Sequence, residues 1–207
     1  AAPLRRVPLM SARMVLLGPP GAGKGTQAAR ICGRLSIPAI STGDIFRANV
    51  AGATELGRRA QQYMDRGEYV PDSVTNAMVR SRLAADDAAR GFLLDGYPRT
   101  EAQVHELDAI LAASGLALDI VLEITADSEA VVARLLTRAS EQNRADDTES
   151  VIRHRLEVYA EQTAPLAALY RDRGLLVQVD GIGAVDEVTE RIMTALVPRL
   201  SARGVTA

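Results

Sequence analysis

Residues 18–27 read GPPGAGKGTQ and directly follow the apolar run 14–17, MVLL. Lys24 in this stretch is the only lysine of the chain; every other basic side chain is arginine. A strand, a glycine-rich turn and then a helix is the context a phosphate-binding loop requires. The glycines let the backbone curl until successive N–H groups face one concavity, and the helix N-terminus adds positive potential. A slim ammonium on a flexible stem can enter a space already crowded by N–H groups, where a guanidinium is bulkier. Gly18, Gly23 and Lys24 meet the pattern G-x-x-x-x-G-K-[ST] except that Gly25 precedes Thr26. The alternative is a glycine turn with an exposed lysine.

The elements that must position this loop are legible as an alternation. Apolar runs at 14–17, 37–40, 92–94, 119–124 and 175–179 are mostly continuous rather than period-two. Strands of that kind are covered on both faces. Helical patterns fall at 24–35, 55–66, 72–88, 100–113, 127–138, 149–173 and 184–200. Asp72 after Pro71 and Thr100-Glu101 after Pro98 are expected helix starts. The alternation predicts an α/β fold with a five-stranded parallel sheet flanked by helices. Polar stretches at 41–70 and 139–148 interrupt the pattern, and no repeat or low-complexity tract is seen.

Composition narrows the class. The 207 residues suffice for one substantial domain, and 47% hydrophobic with 24% charged residues is ordinary for a globular chain. A net charge of −2 provides no overall field for nucleic acid or an anionic membrane. One cysteine, Cys32, excludes an internal disulfide and a cysteine-based zinc site, and it reads as a small buried residue. No apolar run approaches the roughly 18 residues of a membrane helix. Residues 1–12 carry no signal-like apolar run and are read as a disordered extension, which leaves a cytoplasmic protein as the expectation. His105 and His154 read as surface helix residues.

Several segments in order, beyond the loop, carry a family resemblance. GKGT replaces GK[ST] in nucleoside monophosphate kinases. STGDIFR (41–47), GFLLDGYPRTEAQ (91–103), RLEVYAEQTAPL (155–166) and VDGIG (179–183) resemble successive segments of adenylate kinases. The match runs over about 13–197, and it implies a P-loop NTPase fold and transfer of a phosphoryl from Mg-ATP to AMP, giving two ADP. It also implies a core at 13–40, 71–133 and 151–207, an AMP-binding segment at 41–70 and a short lid at 134–150. Long-lid relatives insert more chain, sometimes with zinc-binding cysteines; only ASEQN separates Arg138 from Arg144 here, so no zinc is expected.

The resemblance assigns roles residue by residue. Gly21, Ala22, Gly23, Lys24, Gly25 and Thr26 would hold ATP phosphates, with Gly183 under the adenine. Thr42, Arg47, Glu68, Tyr69, Val70, Gly96, Tyr97, Pro98, Arg99 and Gln103 would bind AMP. Arg134, Arg138, Arg144 and Arg155 would close on the transferring phosphoryl, Arg144 and Arg155 also touching AMP. Asp95 and Asp44 would face Mg²⁺ through water, in its outer coordination sphere. Asp44 reads alternatively as an Asx-turn or helix N-cap residue. Arg134 and Arg138, four apart, share a helix face and read alternatively as solvated charge. The pairs Asp86-Asp87 and Asp146-Asp147 read as solvated, the second as a tether for the lid. No general base is required, because the acceptor phosphate is already an oxyanion.

Base choice rests on Thr42 and Gln103. Pyrimidine-directed relatives tend to carry alanine and asparagine at these places, so both favour AMP; Gln103 reads alternatively as an exposed helix residue. A UMP/CMP kinase is the alternative within the class, and an ATP-driven switch the alternative outside it. A guanine-specific switch is excluded, since its Asn-Lys-x-Asp motif needs a second lysine. A monomer is the default, with no nucleic-acid or membrane partner.

Overall fold

Strand β1, Arg13–Leu17, is apolar at every position after Arg13 because both of its faces are covered. Met14 and Leu16 pack to one side with Ile31, Ile192 and Leu196. Val15 and Leu17 pack to the other with Leu94, Leu107 and Tyr170. In the computed structural model, which describes residues 11–141 and 148–202, β1 is the centre of a five-stranded parallel sheet. The other strands are β2 Ala39–Ser41, β3 Phe92–Asp95, β4 Ile120–Thr125 and β5 Leu176–Asp180, in the order β2-β3-β1-β4-β5.

Helices α1 Lys24–Leu35 and α9 Val185–Ala202 cover the first face. They are locked by a buried polar contact: Thr189 Oγ1 donates to Gln27 Oε1 at 2.8 Å, and Gln27 Nε2 donates to the Val185 carbonyl at 3.0 Å. Cys32 lies in this layer, where burial pushes its thiol up to about 12, so it stays protonated and unreactive at neutral pH. Helices α4 Asp72–Leu83, α5 Glu101–Ala112 and α8 Leu166–Asp172 cover the second face. Adjacent strands β1 and β3 therefore send the helices that follow them, α1 and α5, to opposite faces. That divergence opens a crevice at the carboxyl ends of the strands, where α/β sheets bind ligands.

The polar stretch 41–70 is not an irregular interruption. It forms α2 Thr42–Ala51 and α3 Glu55–Met64, capped by Ser41 and Thr54, whose side chains accept from the N–H groups of Asp44 and Gly57. The pair encloses only a small apolar cluster, Phe46, Ala60 and Val70, so most of its surface is polar. That is why hydrophobic periodicity did not reveal α2.

The expected helix 149–173 is also divided. It consists of α7 Glu149–Val158, a wide π turn over Tyr159–Thr163, and α8. Pro165 has no N–H to continue the regular ladder, and Ala164 N instead donates five residues back to Tyr159 O at 2.9 Å. Helix α6, Ser128–Glu141, precedes α7. At the amino end, Ala12 belongs to the fold rather than to an extension: it is buried and its carbonyl accepts from Phe92 N at 2.8 Å. Residues 1–10 lie outside the described residues. Asp87 is not freely solvated either, because Arg82 donates to both of its carboxylate oxygens at 2.7 Å and holds the carboxyl below its ordinary range. Both histidines sit on helices, His105 exposed and His154 half-buried.

Candidate active site

A cleft of 680 Å³ occupies the crevice. Its first wall is the turn between β1 and α1. Gly23 takes a left-handed conformation, φ 87°, at the N-cap of α1, and no side chain caps the helix there. A side chain at this position would be strained, and a side-chain cap would occupy the N–H groups that an anion needs. Lys24 Nζ lies back over the same turn, donating to the carbonyls of Gly18 and Pro19 at 2.8 and 2.9 Å. Gly25 and Thr26 continue the wall. Ala22 is buried beneath it.

The second wall comes from β3 and the turn after it. Gly96 has φ 82°, and a Cβ there would stand 2.7 Å from Thr42 Oγ1 and 2.9 Å from Arg99 Nη2. Only glycine allows Thr42 to donate to the Gly96 carbonyl (2.9 Å) while Arg99 Nε donates to the same oxygen (2.7 Å). The Arg99 guanidinium stacks 4.7 Å over the Tyr69 ring. Tyr69 OH in turn meets Thr163 Oγ1 at 2.8 Å, and Thr163 donates to the Arg99 carbonyl at 2.9 Å. The π turn thus carries Thr163 to the back of Arg99.

Gln103 is 1% exposed, not the exposed helix residue its alternative reading allowed. Thr100 caps α5, accepting from Gln103 N at 3.2 Å. The Gln103 side chain accepts from Arg99 N at 2.8 Å and donates to Asp72 Oδ1 at 2.6 Å. Asp72 was expected as a cap. It is the first residue of α4, but Pro71 takes the cap position without a side-chain bond, and the Asp72 carboxylate serves α5 instead.

Arg47 pairs with Asp44 at 2.5 Å at the mouth of the cleft. Asp95 ends β3 directly beside Leu16 of β1 and faces the cleft between the two walls. Arg134 and Arg155 reach the cleft from α6 and α7. Arg155 Nη2 donates to the Met64 carbonyl at 3.1 Å and so links α7 to the end of α3. Glu68, Tyr69, Val70 and Pro98 complete the rim. Burial pushes the Tyr159 phenol above its ordinary value, so it is a neutral hydroxyl in the cleft wall.

Three expected contacts stand apart from the cleft. Tyr97 is buried in the second core layer, and its hydroxyl donates to Asn76 Oδ1 at 2.9 Å. Gly183 lies in the exposed turn after β5. Ala22 supports the loop from below. The Arg138 side chain and the whole of Arg144, with Asp146 and Asp147, lie outside the described residues. Thr163 and Asn76 were not singled out from sequence, and Asp72 was named only as a helix start. Each acts through a partner far along the chain, and no local spacing announces such a pairing.

Thr163 is testable on its own. Thr163→Val keeps the shape but leaves Tyr69 OH and the Arg99 carbonyl without their shared hydroxyl. The expected cost is about 1–2 kcal/mol, or about 3–6 °C in melting temperature. A several-fold rise in KM for a ligand bound against this wall should accompany it. Melting curves and steady-state kinetics that match the parent would rule this role out.

A five-stranded parallel sheet with a glycine loop and lysine at the first βα turn is a P-loop NTPase fold, and a second cationic wall opposite the loop suits it to phosphoryl transfer between two nucleotides. The family model "Adenylate kinase" matches residues 16–175. A protein of Kocuria rhizophila named adenylate kinase is 67% identical over 184 residues, covering 89% of this chain and 98% of that one. The adenylate kinase of Thermobifida fusca is 62% identical over 187 residues, covering 90% and 99%. That of Renibacterium salmoninarum is 64% identical over 184 residues, covering 89% and 95%. The chain belongs to the adenylate kinase family.

Proposed function

We propose that the cleft performs the family's reaction with the donor on the glycine loop and the acceptor between α2, the 68–70 rim and α5. The enzyme is a phosphotransferase that moves the terminal phosphoryl of ATP to AMP, reversibly, giving two ADP. One observation carries the assignment of the two halves: Lys24 and Arg99 stand on opposite walls of a single cleft, each anchored to the backbone of its own wall.

In this reading the loop N–H groups and Lys24 bind the donor phosphates. Arg47 and Arg99 clamp the acceptor phosphate with planar forks. Arg134, Arg138, Arg144 and Arg155 gather around the phosphoryl in transit as segment 134–150 closes. Thr42 and Gln103 meet the adenine of AMP. The acceptor oxygen is already anionic, so the protein's work is alignment, exclusion of water and stabilisation of spreading negative charge. The AMP-binding segment 41–70 moves against the core, and its Arg155–Met64 bond reports the approach of α7 to α3.

Asp95 suits an outer partner for Mg²⁺: a carboxylate at a strand end, beside the loop and facing the cleft. Among the described residues there is no group of three or more side chains that could hold a metal by themselves. The ion would therefore come with ATP, held mainly by phosphate oxygens and water, with Asp95 and then Asp44 alongside. When bound it neutralises charge across the phosphate oxygens. This reading makes the protein a monomeric cytoplasmic enzyme with nucleotides as its only partners. A net charge of −2 offers no overall attraction for nucleic acid or an anionic membrane, and no described helix is long and apolar enough to cross a membrane.

The test is ADP formation from Mg-ATP with AMP, CMP, UMP, GMP and no acceptor in parallel. Strong activity with AMP alone is the expected result. Activity with CMP or UMP would keep the phosphate subsites and overturn the base reading. Release of ADP without acceptor would overturn closure against water.

A further inference from the structure

We infer that Asp72 is a positioning residue that sets which way round the Gln103 amide faces, and so decides between 6-amino and 6-oxo bases at the acceptor site. The inference rests on the reading above that Gln103 meets the acceptor base.

A glutamine amide has two N–H donors and two acceptor lone pairs, and its two ends have nearly the same shape. By itself it can turn over and present either pattern. Two neighbours remove that freedom here. The Arg99 N–H can only donate, and it faces Oε1 at 2.8 Å. The Asp72 carboxylate can only accept, and it faces Nε2 at 2.6 Å. Turning the amide over would set N–H against N–H at one end and oxygen against carboxylate at the other. The second clash is the larger, since it opposes a charged acceptor.

Asp72 is itself held. Its other oxygen accepts from Thr100 Oγ1 at 3.1 Å, and Thr100 caps the helix that bears Gln103. The carboxylate, the cap and the amide form one closed set joining α4 to α5. Burial of Gln103 strengthens it, because a misplaced amide there has no water to satisfy it.

Each end of the amide keeps one capacity for a ligand: one lone pair on Oε1 and one N–H on Nε2. That pair matches a base edge with an exocyclic amine beside an unprotonated ring nitrogen, as in adenine. With Oε1 toward the exocyclic group and Nε2 toward the ring nitrogen, an edge with a carbonyl beside a ring N–H, as in hypoxanthine, guanine and uracil, would meet oxygen with oxygen and N–H with N–H. Cytosine shows the adenine pattern, so the orientation does not separate AMP from CMP; cavity size must do that. The sharp comparison is AMP with IMP, which differ only at this edge.

The experiment measures kcat/KM for AMP and for IMP, with Mg-ATP as donor, in the parent, Asp72→Ala, Asp72→Asn, Gln103→Ala and the double variant Asp72→Ala/Gln103→Ala. Melting curves confirm that each is folded. Asp72→Ala should lower the AMP-to-IMP ratio by about tenfold, mainly through the KM for the acceptor, with the KM for ATP unchanged. Asp72→Asn, which keeps an acceptor oxygen, should recover most of the ratio. In the Gln103→Ala background, Asp72→Ala should change the ratio no further, as expected for a residue acting through Gln103. An unchanged ratio in Asp72→Ala, beside a reduced one in Gln103→Ala, overturns this inference and leaves the base reading standing. An equal loss in both backgrounds overturns it too, since Asp72 would then act through the fold. An unchanged ratio in Gln103→Ala overturns the base reading itself.

Discussion

Lys24→Ala is expected to lower kcat by about a hundredfold or more, as does loss of one preorganised group facing developing charge. The side chain bridges two carbonyls of the glycine turn, Gly18 and Pro19. Those carbonyls hold the ammonium at the edge of the nest. On the proposed reading, an arriving triphosphate would draw the ammonium from carbonyl to phosphate oxygens over a short path. Its benefit is largest where charge spreads during transfer, so the loss should fall on kcat more than on KM for AMP. Lys24→Arg keeps the charge but brings a broad planar head into the turn. It should recover little, because the space suits a point charge. The measurement is steady-state kinetics with both substrates varied, paired with melting curves. Turnover within a few-fold of the parent in a folded Lys24→Ala protein would remove Lys24 from the reaction.

The features readable in advance share one property: they are encoded within a few residues. Strand β1 and helix α1 follow from an uninterrupted apolar run, a glycine turn and a period of 3.6, and α1 falls at 24–35 as expected. The doubly wound architecture follows from strands that lack alternation, which only a sheet covered on both faces requires. Helix α2 was missed because it buries little besides Thr42 and Phe46. The π turn was missed because one proline looks tolerable near a helix until the hydrogen bonds around it are counted. At the site, the loop was legible by residue type, and Arg47, Arg99, Arg134 and Arg155, named by resemblance, line the cleft. Thr163 and Asp72 were not legible in their roles, since the first acts on residues 64 and 94 positions away and the second on a residue 31 away. Such pairings exist only once β3 and the helices around it have assembled.

Arg99→Lys carries the second large expected effect, and it separates charge from shape. The guanidinium is fixed in three ways: Nε bonded to the Gly96 carbonyl, the plane stacked on Tyr69, and the backbone carbonyl held by Thr163. These contacts leave the outer edge of the fork toward the cleft, where the proposed reading puts a phosphate, in an orientation set before it arrives. A lysine would keep the positive charge but could not stack as a plane, bond through Nε and present a two-pronged edge at once. The expected result is a fall in kcat/KM for AMP of about ten- to a hundredfold, with KM for ATP unchanged. Stability should change little, because the site faces an open cleft. The check is to vary each substrate at saturation of the other. An equal rise in both KM values would show that residue 99 sustains the cleft as a whole rather than one half of it. A wild-type response to AMP would show that charge alone suffices. Since Gln103 accepts from the backbone N–H of Arg99 and not from its side chain, the AMP-to-IMP ratio should survive Arg99→Lys. On the proposed reading, phosphate capture and base choice, though they meet at one residue, would be carried by different atoms of it.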